Sequence, residues 1–114
     1  MTDFAIERLD DTVQVHLRLK GDLDLYNAPE FDDALVAVEG EKWPTLVLDL
    51  RELEFLDSMA LRLIMRTQAR ASQDGRRLVI VRGPAFLDRV LKVSGLAEHL
   101  ELVDEPPPAE VSPA

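Results

Sequence analysis

The residues able to do chemistry in this chain are few, and Asp57 and Ser58 stand first among them, set inside the apolar run FLDSMALRLIM at 55–65. A serine hydroxyl becomes a nucleophile when a neighbouring base takes its proton, or it accepts a phosphoryl group. The same two residue types also start helices, by accepting hydrogen bonds from the orphan amides of the first turn. Sequence alone leaves capping and chemistry both open. A nucleophile would need His16 or His99, the only histidines. His16 falls on the polar face of an early strand, His99 in the terminal segment, and neither sits in a recognisable orienting motif. The surroundings LDSMA also lack the G-x-S-x-G elbow. No catalytic residue, and no enzymatic activity, is expected.

Other chemistries are bounded in the same way. Cysteine is absent, which excludes disulfides, thiol catalysis and cysteine zinc sites. There is no Walker loop and no G-x-G-x-x-G, so no nucleotide site is expected, and no cofactor or metal. Asp22 and Asp24 in GDLDL are either strand-end caps or a partner-facing acidic patch, whereas Asp10, Asp11, Asp32 and Asp33 read as turn and exposed-helix residues. Arg62, Arg66 and Arg70 recur every fourth residue.

The elements that must position these groups follow from patterning. At 114 residues, with 46% apolar and 31% charged side chains, the chain is expected to be one soluble domain with its own core. No segment approaches the roughly 20 apolar residues of a membrane span. The start MTDFAIERLDD lacks a basic, apolar export signal, so a cytoplasmic location is expected. A net charge of −9 and a pI near 4.6 argue against direct nucleic-acid binding, which needs clustered cations.

FAIERL and TVQVHLRLKG read as two strands separated by the turn at Asp10–Asp11. In the second, Val13, Val15, Leu17 and Leu19 alternate with Gln14, His16, Arg18 and Lys20, predicting one buried and one wet face. A helix follows, with Asn27 as N-cap, Pro29 in the first turn, Glu30 at the capping-box position, and Phe31, Ala34, Leu35 and Val38 as its buried stripe up to Gly40. TLVLDL and RLVIV are apolar throughout, as strands covered on both faces are. Between them runs an amphipathic helix from Ser58 to about Gln73, closed by Asp74–Gly75. Ala60, Leu61, Ile64, Thr67 and Ala71 should face the sheet, with Arg62, Arg66 and Arg70 opposite, Met59 close to them and Leu63 at their edge, so that at least one large apolar side chain should be in water. A last helix spans about Pro84 to Ser94, with Phe86, Leu87, Val90 and Leu91 buried and Gly95 as its stop. LAEHLELV reads as a short helical turn and a small edge strand. The order β-β-α-β-α-β-α, with a possible last strand, predicts a single small α/β domain with a mixed central sheet packed with helices. It should occupy residues 1–103. Residues 104–114, DEPPPAEVSPA, are expected to be a disordered acidic, proline-rich tail.

Taken together, GDLDLYNAPEF, LVLDLRELEFLDSMALRLI, RLVIVRGPAFLDRVLKVSGL and the acidic end resemble a STAS domain, and the single-domain size resembles bacterial anti-sigma factor antagonists. The likeness covers about residues 5–103. It implies that Ser58 is a phosphorylation site for a partner that is at once an anti-sigma factor and an ATPase-type serine kinase, any ATP belonging to that kinase. It further implies a role in sigma-dependent transcription, with Asp22, Asp24, Asp57, Ser58, Met59, Arg62, Leu63 and Arg66 at the partner surface. Met59 and Ala60 depart from the small or hydroxyl residue and glycine usual in the family. A constitutive, unphosphorylated STAS adaptor in a signalling or transport assembly is the alternative. Oligomeric state is not read from the sequence.

Overall fold

The computed structural model describes residues 3–11 and 13–108, and within them β1 (Ala5–Arg8), β2 (Gln14–Leu23), α1 (Ala28–Gly40), β3 (Thr45–Leu56), α2 (Ser58–Gln73), β4 (Arg77–Val81), α3 (Ala85–Val93), a 3₁₀ turn (Leu96–His99) and β5 (Glu101–Val103) follow in order. The strands form one mixed sheet in the order β1-β2-β3-β4-β5, with β1 antiparallel to β2 and the remaining pairs parallel. The fold class is the expected one, completed by the short last strand.

Spatial order equals chain order, and that has a physical effect on the layers. Parallel strands joined through a helix cross over right-handedly. When every crossover also steps in the same direction across the sheet, every helix lands on the same face. The main core obeys this rule: it joins Val15, Leu17, Leu19 and Leu23 of β2, Leu46, Leu48 and Leu50 of β3, and Leu78 and Ile80 of β4 to buried residues of α1, α2 and α3. The opposite face carries a second cluster, Val47, Val79 and Val81 with Val103 against them, to which no described helix residue contributes.

β3 and β4 are thus apolar on both faces, as their composition indicated, but the second face has no helical layer. Residues 104–108 run from the end of β5 to Gln14 on that side. After β5, Arg82 Nε pairs with Asp104 Oδ1 (3.3 Å), and Gln14 Nε2 donates to Pro107 O (3.1 Å). Gln14 shares the face of His16, whose strand partner is Val47. The wet face expected for β2 is consequently closed at Gln14, which is buried. The rest of the predicted tail, 109–114, lies outside the described residues.

Several boundaries differ from expectation for local reasons. β3 continues six residues beyond TLVLDL, through RELEFL, because Leu53 and Leu56 enter the core while Glu52 and Glu54 stay in water. Phe86 is not buried in α3: Leu87 and Leu91 suffice to hold that short helix, and Phe86 is exposed. Gly21, with φ of +84°, lets Asp3 O pass where any Cβ would collide at 1.8 Å, which locks the N-terminal segment beside β2.

Candidate functional site

The loop between β3 and α2 resolves the ambiguity of Asp57 and Ser58 by dividing the two tasks. Asp57 is the N-cap: its backbone is extended and its Oδ1 accepts the Ala60 amide (3.1 Å). Its own amide donates to Leu23 O (3.2 Å), which ties the start of α2 to the end of β2. Ser58 is then the first helical residue, exposed, and among the described residues its hydroxyl has no hydrogen-bond partner. A capping role does not account for Ser58.

Beside it, the end of β2 carries Asp22 and Asp24, both half-buried. Asp24 is engaged within the chain. Its Oδ1 accepts the amides of Tyr26 (3.0 Å) and Asn27 (3.3 Å), and its carbonyl accepts those of Asn27 and Ala28. Asp24 therefore does the capping expected of Asn27, which makes no side-chain cap and instead donates from Nδ2 to Asp22 O (2.7 Å) and Asp24 Oδ1. The reason is register: the turn at 25–27 already has helical hydrogen bonding, so the orphan amides lie one turn earlier than Pro29 suggests.

Between α1 and α2 an open groove of about 330 Å³ is lined by Leu25, Ala28, Pro29, Asp32, Met59, Leu63 and Arg66. Of the residues expected at the partner surface, Met59, Leu63 and Arg66 meet in this groove, Asp57 and Ser58 stand at the α2 start, and Asp22 and Asp24 close the end of β2. Arg62 is exposed on α2 but does not line the groove. Leu63, expected at the edge of the arginine row, is drawn inward and only 5% exposed. The buried set of α2 is Ala60, Leu63, Ile64 and Thr67, rotated toward α1 relative to the predicted set that included Leu61. Leu63 is the floor of the groove, and the half-buried Met59 is part of its wall.

The apolar part of this surface comes mostly from residues that patterning did not single out. Leu25 and Tyr26 are exposed (61% and 87%), as is Phe55 (48%). Their signal was available in DLDLYN and LEFLDS, where large apolar residues sit in turns and strand ends that a core does not require. The arginine row is also uneven. Arg70 is bidentate with Glu39 (2.7 and 2.8 Å), and that bond raises its pKa against the opposing effect of burial. Arg62 and Arg66 have no ion-pair partner among the described residues and leave two uncommitted cations along α2.

His16 is elsewhere. Its Nε2 donates to Asp49 Oδ2 (3.0 Å) on the helix-free face, where Arg51 also grips Asp49 through Nε (3.0 Å) and Nη2 (2.7 Å). Burial alone would push the Asp49 carboxyl up, but the bonds from Arg51 and His16 outweigh it and hold the pKa below the ordinary value of 3.8. His16 pairs with Val47, nine residues before the end of β3, so it lies about 30 Å from the strand end that presents Ser58. That histidine cannot serve as a base for this hydroxyl. Among the described residues, no group of three or more His, Asp or Glu is placed to hold a metal, and no helix is long and apolar enough to cross a membrane.

The family model described as "Mlab, STAS domain" matches residues 7–104. An anti-sigma-B factor antagonist of Staphylococcus epidermidis is 27% identical over 93 residues, covering 82% of this chain and 84% of the relative. The anti-sigma-B factor antagonist of Listeria monocytogenes is 26% identical over 92 residues, 81% of each chain. Among solved structures, an anti-sigma factor antagonist from Mycobacterium paratuberculosis superposes with a TM-score of 0.78 at 28% identity, over 90% of this chain and 87% of the other. The unphosphorylated form of the anti-sigma factor antagonist SpoIIAA superposes with a TM-score of 0.76 at 19% identity, over 89% and 90% of the two chains, a likeness of fold.

Proposed function

Because this chain belongs to the STAS domain family, we propose that it is an anti-sigma factor antagonist: a binding protein that occupies an anti-sigma factor through the groove beside α2 and so regulates sigma-dependent transcription in the cytoplasm. Relatives named anti-sigma factor antagonists along more than four-fifths of the chain support the role. The partner in this reading is an ATPase-type serine kinase, and phosphorylation of Ser58 releases it. The protein acts by occupancy rather than catalysis, with no cofactor and no direct nucleic-acid contact.

The observation that carries the reading is the exposed Ser58 hydroxyl, unbonded, one residue past the true cap and next to an apolar groove with charged borders. Phosphoserine adds about 1.5–2 negative charges. At the first position of a helix this is favoured by the helix dipole, so the fold survives modification. In a docked interface the new charge faces Asp57 and is stripped of water. A like-charge contact at about 4 Å costs roughly 1 kcal/mol in water and roughly 4 at an effective dielectric of 20. With about 1.4 kcal/mol per tenfold, the affinity falls by one to three orders of magnitude.

The test pairs the purified chain with its anti-sigma kinase and ATP. Mass spectrometry is expected to place the phosphate on Ser58, and calorimetry to show Ser58→Ala binding like wild type while Ser58→Asp loses at least about tenfold. Phosphate on another residue defeats the switch. A second reading, a constitutive adaptor, is favoured by Met59, whose apolar bulk beside the hydroxyl gives a contact indifferent to charge. Equal binding of a partner by Ser58→Ala and Ser58→Asp would select it.

A further inference from the structure

The helix-free face of the sheet is crossed by the segment that follows β5. Val47, Val79 and Val81 have no exposure at all, although no described helix residue packs on them. What closes them is readable from register. Val103, where β5 ends, shares a row with Val81, Asp49 and Arg18, while Gln14 shares one with Thr45 and Arg77. The rows are four residues apart, about 13 Å. β5 and β2 are also three strand spacings apart, about 14 Å, so the diagonal is about 19 Å. The four residues from Val103 to Pro107 supply about 12 Å of it in the extended proline conformation, and the Gln14 side chain reaches back for the rest. The segment starts at the first row with Asp104 on Arg82 and reaches the second with Pro107 O on Gln14 Nε2, having crossed the valines between.

Charge reinforces the crossing. Arg51 has its pKa raised, first by Asp49 and, among smaller contributions, by the charge of Glu105. Asp104 of the segment thus pairs with Arg82, Glu105 adds its charge near Arg51, and Pro107 and Pro108 line a hollow with Gln14, Thr45 and Arg77. Nothing covalent or helical holds it there. A proline run donates no backbone hydrogen bonds, so it adds no strand and can leave without breaking the sheet.

We propose that residues 104–108 are a detachable strap and that the face beneath it docks a second copy of this chain once the strap lifts. Two properties fit a copy of itself. A β face is flat, and two such faces pack about 10 Å apart with interdigitated side chains. Its border carries both signs, since Arg18 and Lys20 pair with Glu7 and Glu52 across β1, β2 and β3. A two-fold related copy can exchange these pairs for intermolecular ones. This surface lies apart from Ser58, and the proposal stands independently of the phosphorylation switch.

The test compares the full chain with a version ending at Val103, by light scattering after gel filtration, with circular dichroism to verify folding. The shortened chain is expected to have twice the mass of the full chain, and excess synthetic peptide DEPPPAEVSPA to return it to the full chain's mass. A folded shortened chain with the same mass as the full one overturns the proposal, as does a doubled mass that the peptide leaves unchanged. If the shortened chain fails to fold, the full-length double variant Gln14→Leu/Arg82→Ala decides. Faster proteolysis within 104–108 together with an increased mass supports the strap, and an unchanged cleavage rate and mass refute it.

Discussion

At the level of single residues, Asp57 and Ser58 illustrate how adjacent polar groups can be told apart by what each oxygen touches. Asp57→Ala removes the acceptor for the Ala60 amide and is expected to cost about 1 kcal/mol. Ser58→Ala deletes an exposed, unbonded hydroxyl and is expected to change stability by less than about 0.5 kcal/mol. Urea unfolding of the two variants measures the contrast, and an equal loss in both would return Ser58 to a structural role. The pair itself was visible in the sequence, and so was its place between strand and helix. Which member did the capping was not, because Asp and Ser are both good caps and the decision depends on the helix register.

Asp49 is the corresponding case in the interior. It was passed over as one more residue of an apolar strand, since the sequence does not show that Arg51, two positions on, returns to it, or that His16 faces it from β2. Its folded pKa lies below its unfolded one, so its contribution is present above about pH 4 and is lost as pH falls through the lowered folded value. Asp49→Asn is expected to lose about 2 kcal/mol at neutral pH, where charged hydrogen bonds are broken. The difference from wild type should shrink as the pH is lowered below 4. Denaturant midpoints from pH 2 to 7 provide the check, and a constant difference would exclude this origin of the acid sensitivity.

Among the elements, α2 is the one whose phase matters. The helical wheel placed the arginines correctly in water but set the buried stripe too far round, toward Leu61. It had no way to include α1, which packs against α2 and draws Leu63 inward. Period identifies a helix, but the width of its buried face depends on how many neighbours it has. Leu63→Ala should consequently cost about 2–4 kcal/mol, the range for a buried leucine, in addition to any effect on partner binding. A thermal melt that moves by less than a degree would mean that the side chain is free in solution. Met59→Ala separates the two contributions, because Met59 lines the groove while only half-buried.

For the molecule as a whole, the sequence of elements and the fold class followed from patterning, in alternating β2, apolar β3 and β4 and the intervening helices, whereas the order of strands in the sheet came from the structure. The continuous apolar runs of β3 and β4 correctly signalled two covered faces. They did not say by what, and the proline-rich stretch that crosses the second face has no hydrophobic period of its own. A segment with three prolines reads as tail by composition, whereas its placement rests on a hydrogen bond from a glutamine ninety-three residues away.

That arrangement also sets a timetable for biosynthesis. Since neighbours in the chain are neighbours in the sheet, each new strand can add to those already emerged. The valine side of the nascent sheet, however, has to wait for the residues that follow β5. Until those residues emerge from the ribosome, a growing polypeptide displays an adhesive plane to its polysome neighbours.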